Sequence, residues 1–115
     1  MWNSTPALLV NNWAWENGYT YTNGSLQPRG NGMGFKLGGK ATNDGGHTVR
    51  NNVAWKNLAT GFHENSGDLG MKLYNNTAWS NVEHNFVFFH STNTFRNNLS
   101  FGNRGRITGS DTYNS

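Results

Sequence analysis

The 115-residue chain contains no cysteine, which excludes a disulfide scaffold and a thiolate metal site and leaves the redox compartment open. Charge is also scarce: 13% of residues are charged, and the nine Lys and Arg are scattered without a run, so the formal net charge of +3 supports a nucleic-acid patch only weakly and leaves an acidic partner open. No apolar stretch approaches the length of a membrane span. Met1 opens on "MWNSTPALLV", which lacks the basic start and long apolar segment of a signal peptide. Only 34% of residues are hydrophobic, a level that argues for disorder, yet the sixteen Phe, Trp and Tyr and the low net charge argue against it. Asparagine dominates instead, at twenty positions against fifteen charged residues.

Those asparagines recur in a pattern. "LLVNNWAWEN" from Leu8, "TVRNNVAWKN" from Thr48, "KLYNNTAWSN" from Lys72 and "TFRNNLSFGN" from Thr94 share one template: apolar, any, Asn, Asn, any, small, aromatic, any, Asn. Between them lie "GFKLG" at 34–38, "GFHEN" at 61–65, "NFVFF" at 85–89 and a degraded "GRITG" at 105–109. These are short strand-like runs bounded by Gly and Asn, and no segment keeps a helical apolar period. A strand-only unit of this size cannot bury its own apolar side, whereas stacking on equivalent neighbours can. The expected fold is therefore all-β: a single-stranded parallel β-helix, or β-solenoid, of four to five coils, forming one partial domain over residues 1–115. The Gly-, Asn- and Thr-rich stretch 19–33 is expected to loop out of the first coil, which explains its 40-residue step.

Period two, counted from inward Val49, Leu73 and Phe95, places Asn51, Asn75 and Asn97 inward in stacked amide ladders and makes the second Asn of each pair the bend. The bend resets the alternation, so the direction of Trp15, Trp55, Trp79 and Phe101 is left open. Lys36 is expected outward between inward Phe35 and Leu37. His63 and Val87 stack above it, Asn65 and Phe89 lie beside them, and Glu64 falls inward, where a carboxylate is costly unless paired. The glycines at 30, 32, 34, 38 and 39 are expected to ease turns and let a sugar chain approach the backbone. "GFKLGGKA" nearly spells a phosphate-binding loop, but Ala41 lacks the hydroxyl that would hold magnesium. His47, His63, His84 and His90 show no metal-ligand spacing.

"NGMGFKLGG", then "HTVRNNVAWKNLATGFHENS" and "MKLYNNTAWSN", resemble the polysaccharide lyases of family 9, pectate lyases built as right-handed parallel β-helices. The likeness runs from Leu8 to about Phe101. It implies a secreted or periplasmic parent that cleaves polygalacturonate or pectin by calcium-dependent β-elimination, the lysine of "GFKLGG" being the base. That role falls on Lys36. His63 and Asn65 are the candidate substrate-binding residues. In the family a calcium ion is held by clustered aspartates, mostly in a "DDGxD"-like strand upstream. Here only Asp44, Asp68 and Asp111 occur, unclustered, so calcium belongs to the parent family and is not expected to bind well to this chain.

If the strand before "GFKLG" ends with Met1 and Trp2 at the places of Leu37 and Gly38, the position beneath Lys36 falls before the chain begins, which reads as a fragment. The expected partner is an acidic polysaccharide, with no nucleic acid and no membrane, and the expected state is a monomer. The alternative is a non-catalytic carbohydrate-binding or structural β-solenoid.

Overall fold

A computed structural model of the chain describes residues 5–39 and 44–102, and residues 106–111 as backbone. Met1 and Trp2, whose stacking was expected above, lie outside the described residues. The described residues form thirteen strands: β1 (Leu8–Val10), β2 (Trp13–Trp15), β3 (Tyr19–Thr22), β4 (Ser25–Pro28), β5 (Phe35–Lys36), β6 (Thr48–Arg50), β7 (Val53–Trp55), β8 (Phe62–His63), β9 (Lys72–Tyr74), β10 (Thr77–Trp79), β11 (Phe86–Arg96), β12 (Leu99–Phe101) and β13 (Arg106–Asp111). No helix among the described residues is long and apolar enough to cross a membrane.

The strands wind into coils. One parallel stack runs β1, β6, β9 and the C-terminal part of β11, with Leu9, Val49, Leu73 and Phe95 in register. A second runs β2, β7, β10 and β12, with Ala14, Ala54, Ala78 and Ser100 in register. A third runs β5, β8 and the N-terminal part of β11, with Phe35, Phe62 and Phe86 in register. Strand β13 pairs first with Val87 and Phe88 and then with Asn93 to Phe95, so it closes the fourth coil and opens a fifth.

The core is the column of inward residues at each register. Val49, Leu73 and Phe95 are buried, as are Ala54 and Ala78, and Phe62, Phe86 and Leu37 complete it. Phe35, Phe62 and Phe86 stack at 4.7 and 5.0 Å with nearly parallel rings. Each coil is too small to enclose an apolar volume, so burial comes from like residues repeated along the solenoid axis at the roughly 4.8 Å strand spacing.

The asparagine assignment is the reverse of the expected one. Asn51, Asn75 and Asn97 are exposed, as is Asn11, and all four hold left-handed backbone, with φ between 53 and 59°. In the pairs that start at 51, 75 and 97 it is the second Asn that turns inward, while Asn12 of the first pair is exposed. Asn52 and Asn76 are fully buried, and Asn98 nearly so. Period two fails because the left-handed residue turns the chain through a corner with its own side chain pointing out, so the following side chain enters the core.

The second asparagines of the four pairs form a ladder of fixed polarity: Asn12 donates its backbone N–H and side-chain amide to Asn52 Oδ1, Asn52 donates likewise to Asn76, and Asn76 to Asn98. Each amide also reaches a neighbouring carbonyl, as Asn76 does to Val49 O at 2.9 Å. A second corner repeats the device five residues on, where Glu16, Lys56 and Ser80 take the left-handed conformation and Asn17, Asn57 and Asn81 form the ladder. No buried polar side-chain atom among the described residues lacks a partner.

Between coil positions 19 and 33 the chain leaves the stack as an antiparallel hairpin, β3 with β4, turned by Asn23 and Gly24 at φ 50 and 77°. Asn-Gly is the residue pair that such a two-residue turn selects. The ladder partners lie 40, 24 and 22 residues apart. The 40-residue step therefore contains this excursion.

Candidate functional site

Lys36 sits on β5 with Phe35 stacked inward beside it and Leu37 buried after it. The alternation leaves its side chain exposed. Its amine forms no hydrogen bond or ion pair among the described residues. The glycines around it answer to the next coil. A Cβ on Gly38 would lie 2.3 Å from Glu64 O, and one on Gly34 would lie 2.6 Å from Gly61 O. Gly34 and Gly38 thus admit a neighbouring backbone, which accounts for them without a bound sugar.

His63 is in register with Lys36 one coil on, and Val87 is in register with His63. His63 is half-buried, whereas Val87 is buried. The His63 Nδ1 accepts the Asn65 backbone N–H at 2.7 Å, so Nδ1 is unprotonated and Nε2 carries the hydrogen. Burial pushes the imidazole below its ordinary value; the Glu64 carboxylate works against that, and the His90 and Lys36 charges reinforce it. His63 therefore stands beside Lys36 as a neutral donor at neutral pH.

Asn65 occupies a left-handed corner at φ 49°, and its side-chain amide donates to Gly38 O at 2.6 Å. It ties the second coil to the carbonyl two residues past Lys36. The three predicted residues are thus brought together on one stack, Lys36 and His63 side by side and Asn65 holding the strand end.

Glu64 is inward and fully buried, and it is paired. Its Oε1 accepts the backbone N–H groups of Phe89 and His90 and lies 3.0 Å from His90 Nδ1; Oε2 accepts from Asn93 Nδ2 at 3.2 Å. These donors come from the part of β11 where the pairing with β13 shifts between Phe88 and Asn93. The carboxylate fills the hydrogen-bonding demand of that bend, and the Phe89 and His90 rings lie 4.2 Å apart, tilted by 32°. Sequence reasoning located Glu64 inward but not these partners, which arrive from 25 to 29 residues away.

A metal site fits poorly. Asp44 Oδ2 accepts the Gly39 N–H, and Asp68 Oδ1 accepts the Asp44 N–H at 2.7 Å. Calcium needs six to eight oxygen ligands. Among the described residues no group of three His, Cys, Asp or Glu could hold a metal ion. An open cavity of about 450 Å³ lies on the first coil, lined by Trp13, Ala14, Trp15, Asn17, Gly34 and Phe35, and Lys36 does not line it.

The aromatic residues of the second stack point outward. Trp15, Trp55, Trp79 and Phe101 pile ring on ring at 5.2, 5.3 and 5.8 Å, within 10° of parallel. The two inner rings, Trp55 and Trp79, are covered on both faces and offer no ring face to a sugar.

Comparison with known proteins matches this geometry. A model of the Pel9A-like right-handed β-helix region covers residues 1–106. The chain is 35% identical over 108 residues to pectate lyase L of Dickeya dadantii (strain 3937), across 90% of this chain and 25% of that protein. It is 38% identical over 109 residues to pectate lyase L of Paenibacillus polymyxa (strain SC2), across 93% of this chain and 24% of that protein. The crystal structure of pectate lyase Pel9A superposes with a TM-score of 0.68 at 36% identity, over 92% of this chain and 26% of that one. The chain spans about a quarter of the length of these relatives. With its coil order, Asn ladders and "GFKLGG" strand, the chain belongs to the Pel9A-like right-handed β-helix family.

Proposed function

We propose that this chain supplies the base-bearing coils of a pectate lyase acting on polygalacturonate. The observation that carries the reading is an exposed, unpaired lysine on a rigid strand, at the motif position that resembles the family's base, with a neutral histidine one coil away. In the reaction the Lys36 amine, in its neutral form, takes the proton at C5 of a uronate. The electron pair forms the C4–C5 double bond, the C4–O bond breaks, and the departing oxygen acquires a proton from solvent. His63, through Nε2–H, donates a hydrogen bond to a substrate hydroxyl or carboxylate and fixes the ring relative to Lys36. Asn65 belongs to substrate binding by holding the Gly38 carbonyl and the strand end in place.

The acidic polysaccharide is the partner this chemistry requires. Calcium, implied by the resemblance, finds no adequate donor set among the described residues. No step is assigned to it.

The test is the appearance of unsaturated uronide absorbance on polygalacturonate, in the longest natural form of the protein. Lys36→Ala is expected to lower the rate by about 100-fold or more, in the range of a lost general base. Unchanged turnover in that variant rules out Lys36 as base. No turnover in the unmodified protein favours the non-catalytic carbohydrate-binding solenoid.

A further inference from the structure

The cations that look scattered in the sequence are brought together by the coil register. Arg50, Tyr74 and Arg96 occupy one column across three successive coils, on β6, β9 and the end of β11. Val49, Leu73 and Phe95, immediately before them, are buried, so this column points outward. Both arginines are exposed and Tyr74 is half-buried between them. Two residues back on the same face, exposed Lys72 lies in register between Thr48 and Thr94. No carboxylate among the described residues forms an ion pair with these cations; the ion pair found there joins His90 and Glu64.

On the other flank stand the exposed side chains of Asn51, Asn75 and Asn97, one per coil. The left-handed corner that expels them from the core therefore sets a row of amides beside the charged column.

We infer that this outward strip, on a different strand stack from Lys36, is a second binding face for a polyuronate chain lying along the solenoid axis. It rests on the polygalacturonate reading above, which supplies the class of ligand. The fit is chemical. A polyuronate alternates carboxylates with hydroxyls along one extended chain. The strip alternates guanidinium forks, which match a carboxylate in geometry, with amides and hydroxyls that exchange hydrogen bonds with sugar hydroxyls. Arg50 and Arg96 are two coils apart, about 9.6 Å at the strand spacing, so one chain can meet both. A nucleic acid would call for denser positive charge than three cations supply. Each pair is exposed and individually weak, so affinity depends on several acting together.

The experiment measures the binding of de-esterified oligogalacturonate by calorimetry at low salt, on the full chain, without added metal. Arg50→Gln/Arg96→Gln is expected to weaken binding about tenfold, and Arg50→Lys/Arg96→Lys to restore only part of it, since an ammonium keeps the charge and loses the fork. Both pairs of changes lie at exposed positions, and unchanged far-ultraviolet circular dichroism and melting confirm the fold. Methyl-esterified pectin is expected to bind more weakly, and binding is expected to fade by about 0.5 M salt.

Affinity unchanged in the Arg50→Gln/Arg96→Gln protein overturns the inference. So does loss of binding only in Lys36→Ala, or displacement of the oligosaccharide by single-stranded DNA of equal charge. Arginine-dependent binding without uronide absorbance in the longer natural protein would sink the lyase reading and leave this one standing.

Discussion

Asn75 and Asn76 are neighbours in the chain with opposite duties. Asn75 is exposed at φ 53°, where its short side chain tolerates the left-handed backbone, while buried Asn76 accepts from Asn52 and donates to Asn98 and to Val49 O. Asn76→Ala would leave the Asn52 amide and the Val49 carbonyl short of partners, and it is expected to cost about 2–4 kcal/mol. Asn75→Gly, which suits the same backbone conformation, should stay within about 1 kcal/mol of the parent. Urea unfolding of the two variants at one pH measures the contrast; equal losses would show that the ladder has been misassigned. The sequence displayed the paired asparagines but not their order. Alternation does not carry through a residue whose φ breaks it, and φ is set by how two strands meet at a corner. The second ladder was legible in the third Asn of the template, at positions 17, 57 and 81, because a corner that takes Glu16, Lys56 or Ser80 has only the following Asn in common.

At the scale of elements, strands of two to four residues predominate, and almost all owe their existence to the coil above or below. The hairpin of β3 and β4 is different, since it pairs with itself alone. Its Asn23-Gly24 turn was a sequence signal for a hairpin within the stretch read simply as a loop. Replacing residues 20–27 by a short Gly-containing link is expected to move the urea midpoint by less than the equivalent of about 1 kcal/mol, because shortening an excursion changes closure entropy only slowly. Loss of cooperative unfolding in that variant would mean that the hairpin supports the stack. The "GFKLGG" strand shows a related limit of sequence reading. Its glycines were legible as a close approach, but the approaching group is the backbone at Gly61 and Glu64 rather than a ligand. Glu64 shows the converse. Its inward position followed from alternation, whereas its solvation by Phe89, His90 and Asn93 depends on a bend one coil away.

Across the whole molecule, stability is a sum of contacts between neighbouring coils, so it is expected to be greatest where a coil has neighbours on both sides. Among the described residues strands β1, β2 and β5 of the first coil each pair on one edge, and Trp15 is exposed there whereas Trp55 and Trp79, in register with it, are half-buried within the stack. In these 115 residues measured by themselves, amide hydrogen exchange should therefore be slowest in β7 and β10 and fastest in β2, and uniform protection would contradict a coil-by-coil solenoid. Taken alone, the sequence determined the repeat, the all-β coil architecture, the inward apolar column and the exposed position of Lys36, since each follows from local periodicity and from a unit too small to bury itself. Tertiary structure alone decided which asparagine of each pair enters the core, what satisfies Glu64, and that Arg50, Tyr74 and Arg96 share one outward column. Those outcomes depend on left-handed corners and on register between residues 22 or 24 positions apart, and such distances are joined only when the coils stack.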